Sequence, residues 1–171
     1  MTKAQTKAQE QEVNKRIQYS YDDEASSLTV KTSLLNLLSI VKGSEKDAKK
    51  FCEETAIASK ESGVVVGGVS HAVFVKGFKE ILHDDIKKQM TDEDFNGNVN
   101  ERIQYSYEQE PSSMTIKTCL FKALSVKFGD DKSAKQFCQQ AAKEAKNSDT
   151  NVGRVSNFVF DKAMQAVQKP L

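Results

Sequence analysis

Several classes of functional site are missing from this sequence. Three cysteines and two histidines in 171 residues are too few for a zinc module built on repeated ligands. Neither a Gly-rich phosphate loop of the Walker type nor a nucleophile motif occurs, and no acidic pair stands in apolar, recurring surroundings. The sequence therefore predicts no metal site, no cofactor and no enzymatic activity.

Long apolar runs and an excess of one charge are missing as well. There is no run of about 18 apolar residues, and residues 1–10 lack the apolar stretch of a signal peptide, so we expect a cytoplasmic protein without membrane contact. Lys and Arg number 25 against 24 Asp and Glu, a formal net charge of +1. If the chain binds nucleic acid, a local basic patch must supply the attraction.

What the sequence does contain is a repeat. Residues 14–82 align without a gap with residues 100–168, at an offset of 86 that places Arg16 on Arg102. About half of the aligned positions are identical, so the two copies should share one fold. Two equal units in one chain mimic a homodimer, and a two-fold body suits a two-fold ligand such as duplex DNA.

Each copy begins with two predicted strands. Residues 16–21 alternate Arg, Gln and Ser with Ile and Tyr, which is typical of a half-buried strand. An acidic, turn-like stretch follows, and in the second copy Pro111 is expected to exclude regular structure there. Residues 28–33 form a second β-branched run, which should point Leu28 inward and Thr29 outward.

Three helices are predicted after the strands. The first runs from about Leu34 to Gly43, the second begins at Ser44 with a capping-box pattern, and the third opens at a glycine-rich stretch. Cys52 and Cys138 fall on the apolar stripe of the second helix. We therefore expect buried thiols in a reducing compartment, and neither a disulfide nor a metal site.

The predicted fold class is α+β and mainly helical. It consists of two tandem repeats, each strand-strand-helix-helix-helix, packed as a pseudo-two-fold dimer with a short antiparallel β-ribbon. The predicted divisions are a flexible tail (1–13), repeat 1 (14–82), a solvated linker rich in Asp, Lys, Asn and Gly (83–99), and repeat 2 (100–171).

The second strand and the last helix resemble the ribbon-helix-helix family of DNA-binding proteins. The matching segments are Leu28-Thr29-Val30-Lys31-Thr32, Met114-Thr115-Ile116-Lys117-Thr118 and Gly153-Arg154-Val155-Ser156. In that family a strand pairs with its two-fold mate, and the resulting ribbon enters the major groove. The resemblance implies that the base-facing residues are Thr29, Lys31, Ser33, Thr115, Lys117 and Cys119.

The resemblance also implies a phosphate contact at the start of the last helix, where backbone amides attract anions. The residues concerned are Gly67, Gly68, Ser70, Gly153, Arg154 and Ser156. Ordinary members have one helix between ribbon and last helix, whereas this chain has room for two. The first strand also lies outside the minimal motif.

The first strand competes with the second for the groove. Arg can pair bidentately with guanine and Gln with adenine. The alternative is that its tyrosines pack on helices while Arg and Gln meet solvent, or that one strand covers the edge of the other. The residues of this candidate are Arg16, Gln18, Ser20, Arg102, Gln104 and Ser106.

Several lysines recur in both copies, among them Lys46 and Lys60. They could track phosphates, but their acidic neighbours favour a solvated helix face. Together the patterns predict sequence-preferring double-stranded DNA binding by a single-chain protein, as in a transcription regulator or a plasmid maintenance or transfer accessory factor. The alternative is a helical protein–protein interaction module without nucleic-acid binding, which contacts a protein partner or a second copy of itself.

Overall fold

The chain is α+β and mostly helical, as the sequence predicts, with two antiparallel two-stranded sheets among the described residues. The computed structural model describes residues 13–63, 67–148 and 155–171. It divides into two compact units, the first ending at Ile81 and the second beginning at Leu82. The predicted flexible tail lies outside the described residues, apart from Val13.

The first unit is a hairpin followed by three helices. Gly43 ends the first helix with a φ of 96°, in the left-handed region, and the Ser44 side chain caps the second by accepting a hydrogen bond from Asp47 N at 3.1 Å. Both boundaries agree with the sequence prediction. The elements are β1 (Asn14–Tyr21), β2 (Glu24–Lys31), α1 (Thr32–Lys42), α2 (Glu45–Ser62) and α3 (Gly68–Ile81).

The second unit has the same order of elements, preceded by two short helices. These are α4 (Asp84–Lys87), α5 (Asp92–Asn96), β3 (Asn100–Tyr107), β4 (Glu110–Lys117), α6 (Thr118–Phe128), α7 (Asp131–Asn147) and α8 (Val155–Val167).

A two-residue turn joins the strands of each hairpin. Asp22 and Asp23 have φ values of 49° and 61°, and Glu108 and Gln109 have values of 48° and 69°. A type I′ turn requires such left-handed values at both central residues, and it closes an antiparallel pair directly. The acidic stretch that was expected to be an irregular turn is therefore mostly strand.

Pro111 lies inside β4, opposite Ser106, so the prediction that it excludes regular structure is wrong. Thr115 has its N–H on the same edge of β4 as the Pro111 nitrogen, and that N–H points away from β3 to donate to Ser156. A proline nitrogen on the outer edge removes no hydrogen bond from the β3–β4 ladder.

The ribbon expected between the two copies is not formed. β2 pairs with β1, and β4 pairs with β3, in separate sheets of the described chain. The prediction that the second strands mate across a two-fold axis is therefore wrong. Closing a two-residue turn loses much less chain entropy than bringing together strands about 86 residues apart, which favours pairing within each copy.

Each unit has its own apolar core, in which the inner face of the hairpin packs on the helices. The buried Cys52 and Cys138, both fully enclosed, confirm the prediction that these thiols fill helix interfaces. Main core residues of the first unit are Ile17, Tyr19, Leu28, Val30, Leu34, Leu38, Val73 and Phe78, and those of the second are Ile103, Tyr105, Met114, Ile116, Leu120, Leu124, Val159 and Met164.

The predicted linker, residues 83–99, is folded onto the second unit. α4 and α5 both contact α6, and their side chains Ile86 and Phe95 are only 0% and 5% exposed. Ile86 and Phe95 give this segment a buried side, although most of its residues are acidic or polar. Main-chain hydrogen bonds of 3.1 Å tie His83 to Val167 and Val99 to Thr118.

Candidate nucleic-acid interface

The two strands of each unit, which the sequence presents as alternative DNA-contacting strands, form one surface. In each hairpin one side of the sheet packs on the helices and the other faces outward, so that Arg16 stands opposite Thr29 and Gln18 stands opposite Ser27. The outward side also carries Ala25 opposite Ser20, and Pro111 opposite Ser106, a pair that differs between the units. We call the set of charged, amide and hydroxyl side chains on the outward strands, from Arg16 to Lys31 and from Arg102 to Lys117, the hairpin face. It comprises Arg16, Gln18, Ser20, Ser27, Thr29 and Lys31 in the first unit, and Arg102, Gln104, Ser106, Ser113, Thr115 and Lys117 in the second.

Every residue of the hairpin face is identical in the two units. The buried side of the same hairpins is less uniform, because Leu28 and Val30 are replaced by Met114 and Ile116. Packing tolerates such volume-conserving exchanges, whereas nothing in the packing of a solvent-facing strand requires an invariant Arg or Gln. The identity of these polar residues therefore makes this surface the candidate functional site.

Lysines end the second strand of each hairpin. Lys31 and Lys117, which the resemblance placed among the base-facing residues, are half-buried, and each contacts neighbouring groups. They stand opposite Asn14 and Asn100 in the ladders. One Arg and one Lys per unit thus lie along the hairpin face, at the end far from the acidic turn.

Two residues of the predicted base-facing set do not belong to the hairpin face. Ser33 and Cys119 lie in the first turn of α1 and α6, because β2 ends at Lys31 and β4 ends at Lys117. Ser33 is half-buried, and Cys119 is only 2% exposed. The prediction that Cys119 faces a nucleobase is wrong.

The two serines of the predicted phosphate site bind the main chain of the second strand in each hairpin. Ser70 Oγ accepts a hydrogen bond from Thr29 N at 3.4 Å, and Ser156 Oγ accepts one from Thr115 N at 3.2 Å. The start of the last helix therefore covers the outer edge of the second strand in both units, which protects that edge from further strand pairing. Gly67 and Gly68 are exposed nearby, whereas Gly153 and Arg154 lie outside the described residues.

A lysine clamp, which the sequence analysis missed, fixes the turn end of the hairpin. Lys60 Nζ lies 5.3 Å and 5.4 Å from the ring centres of Tyr19 and Tyr21, and it donates to Ser26 Oγ at 3.0 Å. The recurrence of Lys60 between the copies was the only sequence signal for it. Lys146 repeats the arrangement with Tyr105 at 5.6 Å, Tyr107 at 5.4 Å and Ser112 Oγ at 3.4 Å.

The second hairpin carries an open depression of about 650 Å³ beside its outward residues. It brings Arg102 and Gln104 next to Ser113, a set that can donate and accept hydrogen bonds. The remaining lining residues are Tyr105, Pro111 and Ser112.

Burial makes the thiols of α2 and α7 unreactive. Burial raises the pKa of Cys52 to about 11 and that of Cys138 to about 12, so both thiols are protonated at neutral pH and are poor nucleophiles or ligands. Among residues 13–63, 67–148 and 155–171, no cluster of three or more His, Cys, Asp or Glu side chains could hold a metal ion. Within the same ranges, no helix combines the length and apolarity needed to cross a bilayer.

No protein-family model matches this chain, and neither the curated proteins nor the solved structures include a significant match. The geometry of the hairpin faces is therefore the basis for a functional proposal.

Proposed function

We propose that the chain is a sequence-preferring duplex-DNA-binding protein whose two hairpin faces act as β-ribbons in the major groove. The observation that carries this proposal is that the outward Arg, Gln, Ser, Thr and Lys residues of the hairpins are identical in both units. A two-stranded ribbon has the width to enter the major groove with one face toward the base edges.

The chemistry of the hairpin face suits base recognition. Arg16 can donate two hydrogen bonds to guanine, Gln18 can pair bidentately with adenine, and the neighbouring Thr29 and Ser27 can contact any base. Residues two apart on a strand are about 6.8 Å apart, which is close to two base-pair steps of about 3.4 Å. Arg16 and Gln18 are therefore spaced to address different base pairs within one short motif.

Charge limits how the ribbon can approach DNA. The chain has a formal net charge of only +1, and the turn of the first hairpin is acidic at Asp22, Asp23 and Glu24. We expect the half of the hairpin near Arg16 and Lys31 to enter the groove while the turn points away from the phosphates. In the cell, such binding would serve transcription regulation or plasmid maintenance or transfer.

The test is a fluorescence-anisotropy titration of the full chain, after selection of a preferred site from a pool of random duplexes. Changing Arg16→Ala together with Arg102→Ala should weaken binding to that site at least tenfold, because each bidentate contact contributes about 1–3 kcal/mol. The matched control is Lys46→Ala with Lys132→Ala, which removes the same charge from exposed helix positions. It should leave affinity within about threefold.

Two results would contradict the proposal. One is the absence of salt-sensitive binding to any duplex at low ionic strength, since phosphate contacts make affinity fall with added salt. The other is an equal loss of affinity in the arginine variant and the lysine control, which would show that only net charge matters.

A further inference from the structure

The same stripe of the first helix has different surroundings in the two units. In the second unit α4 and α5 cover one side of α6. Five positions of α6 that are more buried than their counterparts in α1 follow an i, i+1, i+4, i+5, i+8 pattern, which is one stripe of an α-helix. Thr118, Cys119 and Ala123 are buried there, and Lys122 and Val126 are half-buried.

Each counterpart in the first unit is more exposed. Thr32, Ser33 and Leu37 are half-buried, and Asn36 and Ile40 are exposed, Ile40 to 78%. Val41, at 51% exposure, continues the apolar surface at a position that is Lys127 in the second unit. We call Leu37, Ile40 and Val41 the α1 face.

The α1 face is more apolar than the aligned positions of α6. Leu37 and Val41 replace Ala123 and Lys127, so the less protected helix carries the larger apolar side chains. Contiguous apolar side chains on a helix exposed to water typically mark a contact surface.

The residues that precede the first hairpin do not supply the side chains that cover α6. By the repeat offset, residues 1–12 correspond to 87–98, and Gln9 stands where Phe95 stands. Residues 1–12 are rich in Lys, Gln, Thr and Ala and contain neither Phe nor Ile. Residues 1–12 therefore lack aliphatic and phenyl side chains of the kind that are buried against α6.

We propose that the α1 face docks a short acidic segment of a partner protein, one that presents an aliphatic and a phenyl side chain. The second unit contains a segment of this kind, in which Ile86 and Phe95 are buried beside α6. Acidic residues flank them, and each end of α1 carries a lysine of complementary charge. These are Lys31 and Lys42, and the second also pairs with Glu80 at 3.4 Å. This inference does not rest on DNA binding, because α1 is not part of either hairpin face.

The test uses a fluorescently labelled peptide with the sequence of residues 82–99, titrated with the full chain. Saturable binding is expected, with at least a tenfold loss in the double variant Ile40→Gln, Val41→Gln. Both positions are more than half exposed, so folding should be unaffected, which thermal unfolding followed by circular dichroism verifies. Phe95→Ala in the peptide should abolish binding. The matched control is Ala58→Gln at an exposed position of α2, which should bind like the unmodified chain.

Three outcomes would overturn the proposal. An absence of saturable binding to the full chain would show that the α1 face does not accept such a segment. Equal binding to the double variant places the peptide elsewhere, for example in exchange with the cis segment on α6. Sedimentation that shows self-association of the full chain, lost in the double variant, identifies a second copy as the occupant.

Discussion

At the scale of residues, the polar side chains of the hairpin face recur in both units, whereas two buried positions of the same hairpins, Leu28 and Val30, differ. Leu28 becomes Met114 in the second unit, while Arg16 and Gln18 recur unchanged on the outer side. A core accepts exchanges of similar volume. A polar side chain that contacts a base edge accepts fewer, since each substitution leaves a donor or acceptor of the base unpaired.

Gln and Lys on the hairpin face should have separable effects. Gln18→Ala with Gln104→Ala should relax base preference at one position of each motif and leave the salt dependence unchanged, because Gln carries no charge. Lys31→Ala with Lys117→Ala should weaken binding to all duplexes and reduce the slope of log K against log salt by up to about two. Anisotropy titrations over several salt concentrations measure both. Identical profiles for the two variants would contradict this division of roles.

The lysine clamp should contribute to stability. Changing Lys60→Met removes the hydrogen bond to Ser26 and the contact of the ammonium with two tyrosine rings, and should lower the free energy of unfolding by about 1 kcal/mol. Urea unfolding measures the change, with Lys46→Met at an exposed helix position as the control. Equal stability of the two variants would mean that the clamp is energetically neutral.

The buried thiols predict a pH dependence. Because burial raises the pKa of Cys52 from 9.0 to about 11 and that of Cys138 to about 12, the unfolded chain ionises first as pH rises. The contribution of the protonated thiols to the free energy of unfolding is fully present below pH 9.0. It is lost above that pH, by up to about 1.4 kcal/mol per pH unit for each group. Between pH 8 and pH 10, urea unfolding should show a smaller loss of stability for the variant Cys52→Ala with Cys138→Ala than for the unmodified chain. An equal loss in both proteins would assign the effect to other groups.

At the scale of elements, the hairpin turn decides how the strands pair. Asp22 and Asp23 adopt left-handed conformations that non-glycine residues reach at a cost of about 1 kcal/mol each. The turn thereby closes the β1–β2 pair, and the start of α3 covers the other edge of β2 through Ser70. Together these contacts leave β2 without an edge for a strand of the other copy.

Relieving the turn should stabilise the hairpin. Asp23→Gly should raise the free energy of unfolding by about 0.5–1 kcal/mol, because glycine adopts the φ of 61° without strain. Thermal or urea unfolding measures the gain. Ser20→Gly, within β1, is the matched control and should destabilise instead. A loss of stability in Asp23→Gly would show that the aspartate side chain contributes more than its backbone strain costs.

At the scale of the whole molecule, the two units are built from the same elements but are not equivalent. The second includes α4 and α5, which contribute Ile86 and Phe95 to its buried surface. The first lacks that cover among the described residues and exposes Ile40 and Val41. The first helix of the hairpin-and-helix arrangement is therefore covered in the second unit and has an exposed apolar face in the first.

The segment 82–99 should behave as part of the second unit. Phe95→Ala should lower the free energy of unfolding by about 3 kcal/mol, as truncation of a buried phenyl ring typically does. If residues 82–99 were a solvated linker, the same substitution would change the free energy of unfolding by less than about 0.5 kcal/mol. Urea unfolding distinguishes the two, with Asn96→Ala, at an exposed position of the same helix, as the control.

The sequence alone determined the local structure of this protein. Alternation marked the strands and the side of each strand that is buried, and Gly43 and Ser44 marked the helix boundaries, because these signals depend on neighbouring residues only. The recurrence of Arg16 and Gln18 also identified candidate contacts before any geometry was known.

Only the tertiary structure decided which strands pair and which surfaces are covered. Asp22 and Asp23 do not resemble the Asn-Gly pair of an ordinary type I′ turn, so the sequence did not reveal that the two candidate strands form one hairpin face. The burial of Cys119 and the folding of residues 83–99 likewise depend on contacts between distant segments. Such contacts are set by packing and chain closure, which local patterns do not encode.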